Sequence, residues 1–260
     1  MAQNPLVEFW KQLAGDKPPF IAPGDKLPNE CVRNYSSLED YIKSKSFGKH
    51  HDTDFHVGLL PIPYVGNLQN ATIFLLMLNP GLSTGDYFAE YEFPTYREVC
   101  IRNLRQENIQ DEYPFISLDP RFAWHPGFEY WQNKLDSVVQ ELSKQLNLSY
   151  QDAIKHLSQK IACLELVAYH SKSFGANQIF EGLPSTKIMK EYVQRTLVPR
   201  AKAEEIMIVV ARGAQKWGIS QSDQSDNVIV YSGSESRSAH LTFKGSRGGK
   251  AIARQLELSS

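Results

Sequence analysis

Asn79-Pro80-Gly81-Leu82-Ser83-Thr84-Gly85-Asp86 is the stretch whose residue types could do chemistry. An amide, Asn79, is followed seven residues later by a carboxylate, Asp86, with small and hydroxyl-bearing residues between them. Asn79 can donate and accept hydrogen bonds but cannot take a proton at neutral pH. Asp86 can supply negative charge beside an electron-poor centre, or it can cap a helix that starts at Tyr87. Backbone N–H groups around Gly81 to Ser83 can hold an oxygen of a base or of a phosphate. Tyr169-His170 closes another apolar run and offers a phenol and an imidazole at a strand end. Ser232 to Arg254 carries Arg237, Lys244, Arg247, Lys250 and Arg254 against one acid, Glu235, interleaved with Gly and Ser. That composition suits a loop gripping a phosphate backbone. Lys49-His50-His51-Asp52-Thr53-Asp54-Phe55-His56 has metal-ligand residue types. Adjacent ligands cannot all face one ion on regular structure, so the expectation is a solvated, DNA-facing loop and no metal.

Buried strands must position these groups. Ile73 to Leu78 (IFLLML) is an unbroken apolar run, short enough for a strand covered on both faces. Proline at 80 then removes a ladder donor, and glycine at 81 permits a reversal. Three further strands are expected at Ala162–Ala168, Ile206–Ala211 and Asn227–Tyr231. Helices are expected at Leu135–Leu146, at Tyr150–Leu157 with Ser149 as cap, from Ser185 to about Val198, and over Gly248–Leu258. Leu59 to Gly66 reads as an extended edge piece. Alternating strands and helices predict a three-layer α/β/α fold around a mostly parallel four-stranded sheet. Open sheets of that kind place ligands outside the carboxyl ends of their strands, where Asn79 lies.

The 260 residues are expected to form one domain, with an irregular segment over 1–70 and an α/β core over 71–258. Charged residues at 22% and hydrophobic ones at 42% are in the globular range. No apolar run reaches transmembrane length, and the start lacks the order of a signal peptide. Three scattered cysteines, Cys31, Cys100 and Cys163, show no zinc spacing and fit a reducing cytoplasm. A net charge of −1 restricts any nucleic-acid surface to a local patch.

The run Met77-Leu78-Asn79-Pro80-Gly81-Leu82-Ser83 resembles the first motif, G-[IM]-N-P-G, of the uracil-DNA glycosylase superfamily, nearest its mismatch-specific uracil/thymine and single-strand-selective branches. Val209-Val210-Ala211-Arg212-Gly213-Ala214-Gln215-Lys216 is similar to the strand-G-K-x-A stretch of that family, and Ser232-Gly233-Ser234-Glu235-Ser236-Arg237 to its last motif. The likeness covers about residues 70–255. It departs at Met77, which stands where the family has glycine, and in the last motif, which lacks proline and is one residue longer.

The resemblance implies a cofactor-free, monomeric, cytoplasmic enzyme that hydrolyses the N-glycosidic bond of a base flipped out of DNA. Asn79, with or without Asp86, would place the water. Met77, Leu78, Pro80, Gly81, Tyr87, Phe88, Tyr169 and His170 would form the base pocket, with Tyr87 or Phe88 stacking on the base. Ser83, Ser232, Ser234, Arg237, His240, Lys244 and Arg247 would hold DNA, and the 240–243 stretch, with Leu241 and Phe243, would supply an apolar wedge. The superfamily includes bacterial antiviral enzymes that excise glucosylated hydroxymethylcytosine from phage DNA. The departures, with the His/Asp-rich loop, suggest such a larger, hydroxyl-bearing base. The alternatives are uracil or mismatch repair, a non-catalytic nucleic-acid-binding module, and a hydrolase of free nucleosides.

Overall fold

The computed structural model describes residues 4–13, 16–175 and 179–259. The chain gathers into two compact units, each made of separate stretches. Unit 1 comprises Met1–Tyr64, Leu78–Glu107 and Glu165–Tyr192; unit 2 comprises Val65–Met77, Asn108–Leu164 and Val193–Ser260.

Unit 1 holds a small parallel pair, β1 (Val32–Arg33) beside β2 (Phe55–His56). Two helices follow the Asn79 turn, Thr84–Glu92 and Pro94–Leu104, broken at Phe93 and restarted by a proline whose missing N–H costs nothing at a first helical turn. Glu90 faces inward from the first of them, and both its oxygens accept from Leu60 N–H, at 3.2 and 3.0 Å. Burial pushes its carboxyl up to about 8, against the pull of the Leu60 N–H and of Arg97 at 3.3 Å.

Unit 2 is organised by a sheet of strands β3 (Tyr64–Gly66), β4 (Ile73–Met77), β5 (Ile161–Glu165), β6 (Met207–Val210) and β7 (Val228–Val230). Their order is β3-β5-β4-β6-β7. Every residue of β4, β6 and β7 is buried, which explains their continuous apolar runs. Parallel pairing sets Ile73 opposite Met207 and Ile208 opposite Val228. β5 runs parallel to β4, since Thr72 N–H donates to Lys160 O at one end and Val167 N–H to Leu78 O at the other. β3 runs antiparallel to β5, with Ile62 N–H on Ala168 O and Glu165 N–H on Pro63 O.

The sheet therefore has five strands, not the four expected. The added one is the edge piece before Gly66, whose three residues carry no periodic signal of their own. β4 is central, and the chain crosses first to β5 on one side and then to β6 on the other. β4 is thus the topological switch strand, the position beside which open α/β sheets bind ligands.

Helices flank this sheet. Pro126–Leu146 buries Leu135, Val138, Val139 and Leu142 and begins well before the expected Leu135, because Pro126 and the His125 ring, which accepts from Gly127 N–H, start it. Arg247–Gln255 comes so close to its neighbours that a Cβ on Gly249 would collide with Thr242 O. Only glycine fits there. Among the described residues, no helix is long and apolar enough to cross a membrane.

Candidate active site

β4 delivers the chain to Leu78 and Asn79, both half-buried, then to buried Pro80 and exposed Gly81. Gly81 has no left-handed φ, and a Cβ there would meet nothing within 4 Å. The reversal therefore does not need glycine; the missing side chain instead leaves the backbone open. The turn is fastened to the segment after β5, where Ser171 N–H donates to Pro80 O at 3.3 Å.

Asn79 is the centre of this fastening. Its Nδ2 donates to Ser171 Oγ at 2.8 Å and to Pro80 O at 2.9 Å, with Tyr169 O at 3.4 Å and Ser171 O at 3.5 Å. Three carbonyl oxygens can be met only by an NH₂ group, so the environment fixes which way the amide points. Oδ1 is turned away from that cluster and makes no hydrogen bond among the described residues. The result is a half-buried acceptor, held by four contacts, beside a bare stretch of backbone. Ser171 supplies the best of those contacts and was not singled out from the sequence. Its only signal was its place after Tyr169-His170.

His170 supports the same turn. It is buried, and its Nδ1 bonds Gly81 O at 2.8 Å, which makes Nδ1 the protonated nitrogen; Nε2 is buried without a partner. Its carbonyl accepts from His56 N–H at 2.9 Å. His56 is also fully buried, with Nδ1 on Tyr87 Oη at 3.0 Å and Nε2 3.5 Å from Asp52 Oδ2. Burial pulls the His56 imidazole down to about 4, although Asp52 opposes this. Burial also acts on Asp52, pushing it up, but the Asp54 N–H and His56 outweigh it and its carboxyl ends below the ordinary range.

Several expected site residues have other tasks. Asp86 Oδ2 accepts from Ser83 N–H at 2.6 Å and Ser83 Oγ–H at 2.8 Å, a reciprocal cap on Thr84–Glu92. The helix cap is thus Ser83, with Asp86 in the first turn, and both side chains are engaged there. Tyr87 is fully buried, its ring stacked on Tyr41 at 4.3 Å and near-parallel to Tyr91 at 6.1 Å. It has no free face for a base, whereas Phe88 is 40% exposed. Tyr169 donates to Asp25 Oδ2 at 2.6 Å and accepts from Ala22 N–H at 3.0 Å, so its hydroxyl is used inside the fold. The Met77 side chain is core, and its carbonyl accepts from Trp217 Nε1–H at 3.0 Å. In the His/Asp-rich loop His50 and His51 are exposed while Asp52 and His56 turn inward. Among the described residues no three His, Cys, Asp or Glu converge to hold a metal.

The expected DNA-holding residues of the last loop lie in unit 2. Ser232 caps the short Gly233–Ser238 helix in a reciprocal arrangement with Glu235. Ser234 bonds Ser232 at 3.1 Å. Arg247 grips Glu235 with two N–H groups, at 2.8 and 2.7 Å, and gives others to Val230 O and Gln224. That contact holds the Glu235 carboxyl down at about 2. Leu241 and Phe243 are buried, so neither is a free wedge. Arg237, His240 and Lys244 are exposed. The sequence reading passed over Lys134, which donates to Ser238 O at 2.8 Å and Ala239 O at 3.0 Å and is pulled down to about 8, first by burial and then by Arg212. Trp124 and Tyr130, 42% and 39% exposed, are the large rings that unit 2 shows to solvent. No family model, curated protein or solved structure matches this chain.

Proposed function

We propose that the chain is a DNA glycosylase on a uracil-DNA glycosylase-like three-layer fold, hydrolysing the N-glycosidic bond of a flipped, modified base to leave an abasic site. The observation that carries the reading is Asn79: its Nδ2 is saturated by Ser171 and three carbonyls, and its Oδ1 is presented beyond a buried parallel strand. Loss of a base passes through an oxocarbenium-like sugar, which needs an aligned water and charge stabilisation more than it needs a strong base. A water donating one proton to Asn79 Oδ1 has a lone pair free to aim at the sugar carbon. Asn79 therefore orients and does not deprotonate. The base leaves with the bonding electron pair, the water oxygen bonds the sugar carbon, and its proton then passes to solvent or to the released base. Asp86, tied into the helix cap, is not assigned the water.

The open space at Gly81, where a Cβ would meet nothing within 4 Å, leaves room for a base with substituents. Flipping costs about a few kcal/mol, to be offset in the pocket, and Phe88 is the ring assigned to the stack. Excision of a glucosylated hydroxymethylcytosine, an antiviral activity in the cytoplasm, is the specific form proposed; His50 and His51 are the exposed groups that suit sugar hydroxyls.

The test compares DNA from a glucosylating phage with the same DNA lacking glucose, scoring alkali-labile sites. Breaks confined to glucosylated DNA support the specific form. Breaks confined to uracil-containing DNA return the protein to repair, and intact DNA of every kind sinks the enzyme class. A second reading, hydrolysis of free nucleosides, is favoured by Arg247 being engaged by Glu235 and Arg254 by Asn227, which leaves fewer cations for a phosphate backbone.

A further inference from the structure

Unit 1 contains a second constellation that the Asn79 turn does not use. A cavity of about 90 Å³ is lined by Trp10 at the end of the Pro5–Trp10 helix, by Lys11, Leu13 and Asp16, and by one face of the Pro94–Leu104 helix with Arg105 just after it. One water needs roughly 10–15 Å³ of such space, so the cavity has room for several waters or one small polyatomic ion. Three of its lining side chains are cationic, Lys11, Arg97 and Arg105, against one acid, Asp16.

Few of their donors are used. Lys11 gives one to Glu8 at 2.9 Å. Arg97 gives one to Glu90 and one to the Asp16 carbonyl, both at 3.3 Å. The Arg105 guanidinium makes no hydrogen bond among the described residues. Trp10 is an independent pointer. It is 1% exposed, lines the cavity, and its indole Nε1–H has no acceptor among the described residues. A buried N–H without an acceptor is unusual, because water would have satisfied it in the unfolded chain.

Indole, ammonium and guanidinium groups only donate. We propose that this cavity binds a small oxyanion, a phosphate or a carboxylate, held by Arg105, Arg97 and Lys11 with the Trp10 N–H as a directed donor. Guanidinium forks match two oxygens of such a group at once. Leu60 on the wall leaves space for a short aliphatic tail. Burial pushes the carboxyl of Glu90, behind Arg97, up to about 8, which weakens its competition for Arg97. The site shares no residue with the Asn79 turn and stands or falls separately from the glycosylase reading.

The test is thermal unfolding of the full chain at pH 7 and constant ionic strength, titrated with inorganic phosphate, with propionate and with chloride. A saturable rise in Tm with phosphate or with propionate, and none with chloride, is the expected result; which anion acts identifies the source chemistry. Arg105→Gln, at an exposed position, should weaken the apparent affinity about tenfold, as loss of one charge-assisted contact does. Trp10→Phe keeps an aromatic ring at the wall but removes the N–H, and should also weaken it. Equal shifts with chloride, no saturable shift with either oxyanion, or wild-type affinity in both variants would overturn the proposal.

Discussion

The Asn79 turn and the 232–254 loop are both polar, glycine-containing segments that follow buried parallel strands, yet they use their hydrogen bonds in opposite ways. In the turn, the neighbours absorb every donor of one amide and leave its acceptor pointing away. In the loop, the strongest cation is spent inward: Arg247 clamps Glu235 and the end of β7, and Lys134 takes the carbonyls that end the Gly233–Ser238 helix. A run of polar residues thus says where hydrogen bonding is dense. Which atoms are left over for a ligand is decided by partners far away in the sequence, such as Ser171 for Asn79 and Lys134 for Ser238.

The largest effect expected is on the turn. Asn79→Ala should lower base release by about 10²–10³-fold, the loss typical of removing one oriented polar group from a transition state. Thermal stability should change little, because Asn79 is half-buried and its main partner, Ser171, also donates to Ser173 O. Ser171→Ala should cause a smaller loss, since the amide keeps its carbonyl partners. Full base release by Asn79→Ala would reduce the turn to scaffold and place the water elsewhere. No release by the wild type, with DNA binding unchanged in Asn79→Ala, would instead leave a binding module as the better account.

Next is the acid behaviour of the cluster behind the turn. Buried His56 is held near a pKa of about 4, below its ordinary 6.5. For a base whose folded pKa is depressed, stability is complete above the ordinary value and drains away as pH falls through the folded one. Denaturant melts between pH 7 and 4 should therefore lose up to about 3 kcal/mol from this residue. His56→Gln should flatten that slope. An unchanged slope would assign the acid sensitivity elsewhere.

The clamp in the loop is expected to matter less. Arg247→Gln leaves Glu235 and Val230 O short of partners, and should cost about 1–2 kcal/mol of stability, moderated by solvent at both side chains. Lowering pH from about 4.5 toward 2 should weaken the wild type over the same window in which Glu235 is protonated, because its folded pKa is the lower one. A variant that kept full stability but lost DNA affinity would restore Arg247 to the phosphate-holding set.

Much of the scaffold was legible. The runs IFLLM, MIVV and VIV could be read as strands because they are covered on both faces and have no alternation to misread. The edge strand Tyr64–Gly66 is too short to announce its pairing, so the sheet was counted one strand small. The helices Thr84–Glu92 and Pro94–Leu104 were hidden among rings that serve two different neighbours, Tyr87 packing on Tyr41 and Phe88 lying exposed. In the candidate site, the position of Asn79 followed from strand and breaker, whereas the orientation of its amide did not. The same limit applies to Asp86 and Tyr169. Their chemistry was readable, but their partners, Ser83 and Asp25, decide whether that chemistry is free.

The smallest effect concerns the cations that the loop still exposes. Arg237 and Lys244 reach solvent, as do the Trp124 and Tyr130 rings elsewhere in unit 2. If they hold phosphates, each contact releases about one counterion, and neutralising one should lower the salt dependence of DNA affinity by about one in the log–log slope. Arg237→Gln and Lys244→Gln should each weaken binding only several-fold at moderate salt, uniformly across sequences, because a phosphate contact carries no base information. Neither should alter stability as Arg247→Gln does, since neither side chain holds the fold together. Two outcomes would break the contrast between turn and loop. Affinity and slope unchanged in the double variant would mean that this loop does not meet DNA, and together with release of a base from a free nucleoside would favour the small-substrate hydrolase. A large, sequence-selective loss would mean that Arg237 or Lys244 reads a base, which places recognition, and not merely grip, in unit 2.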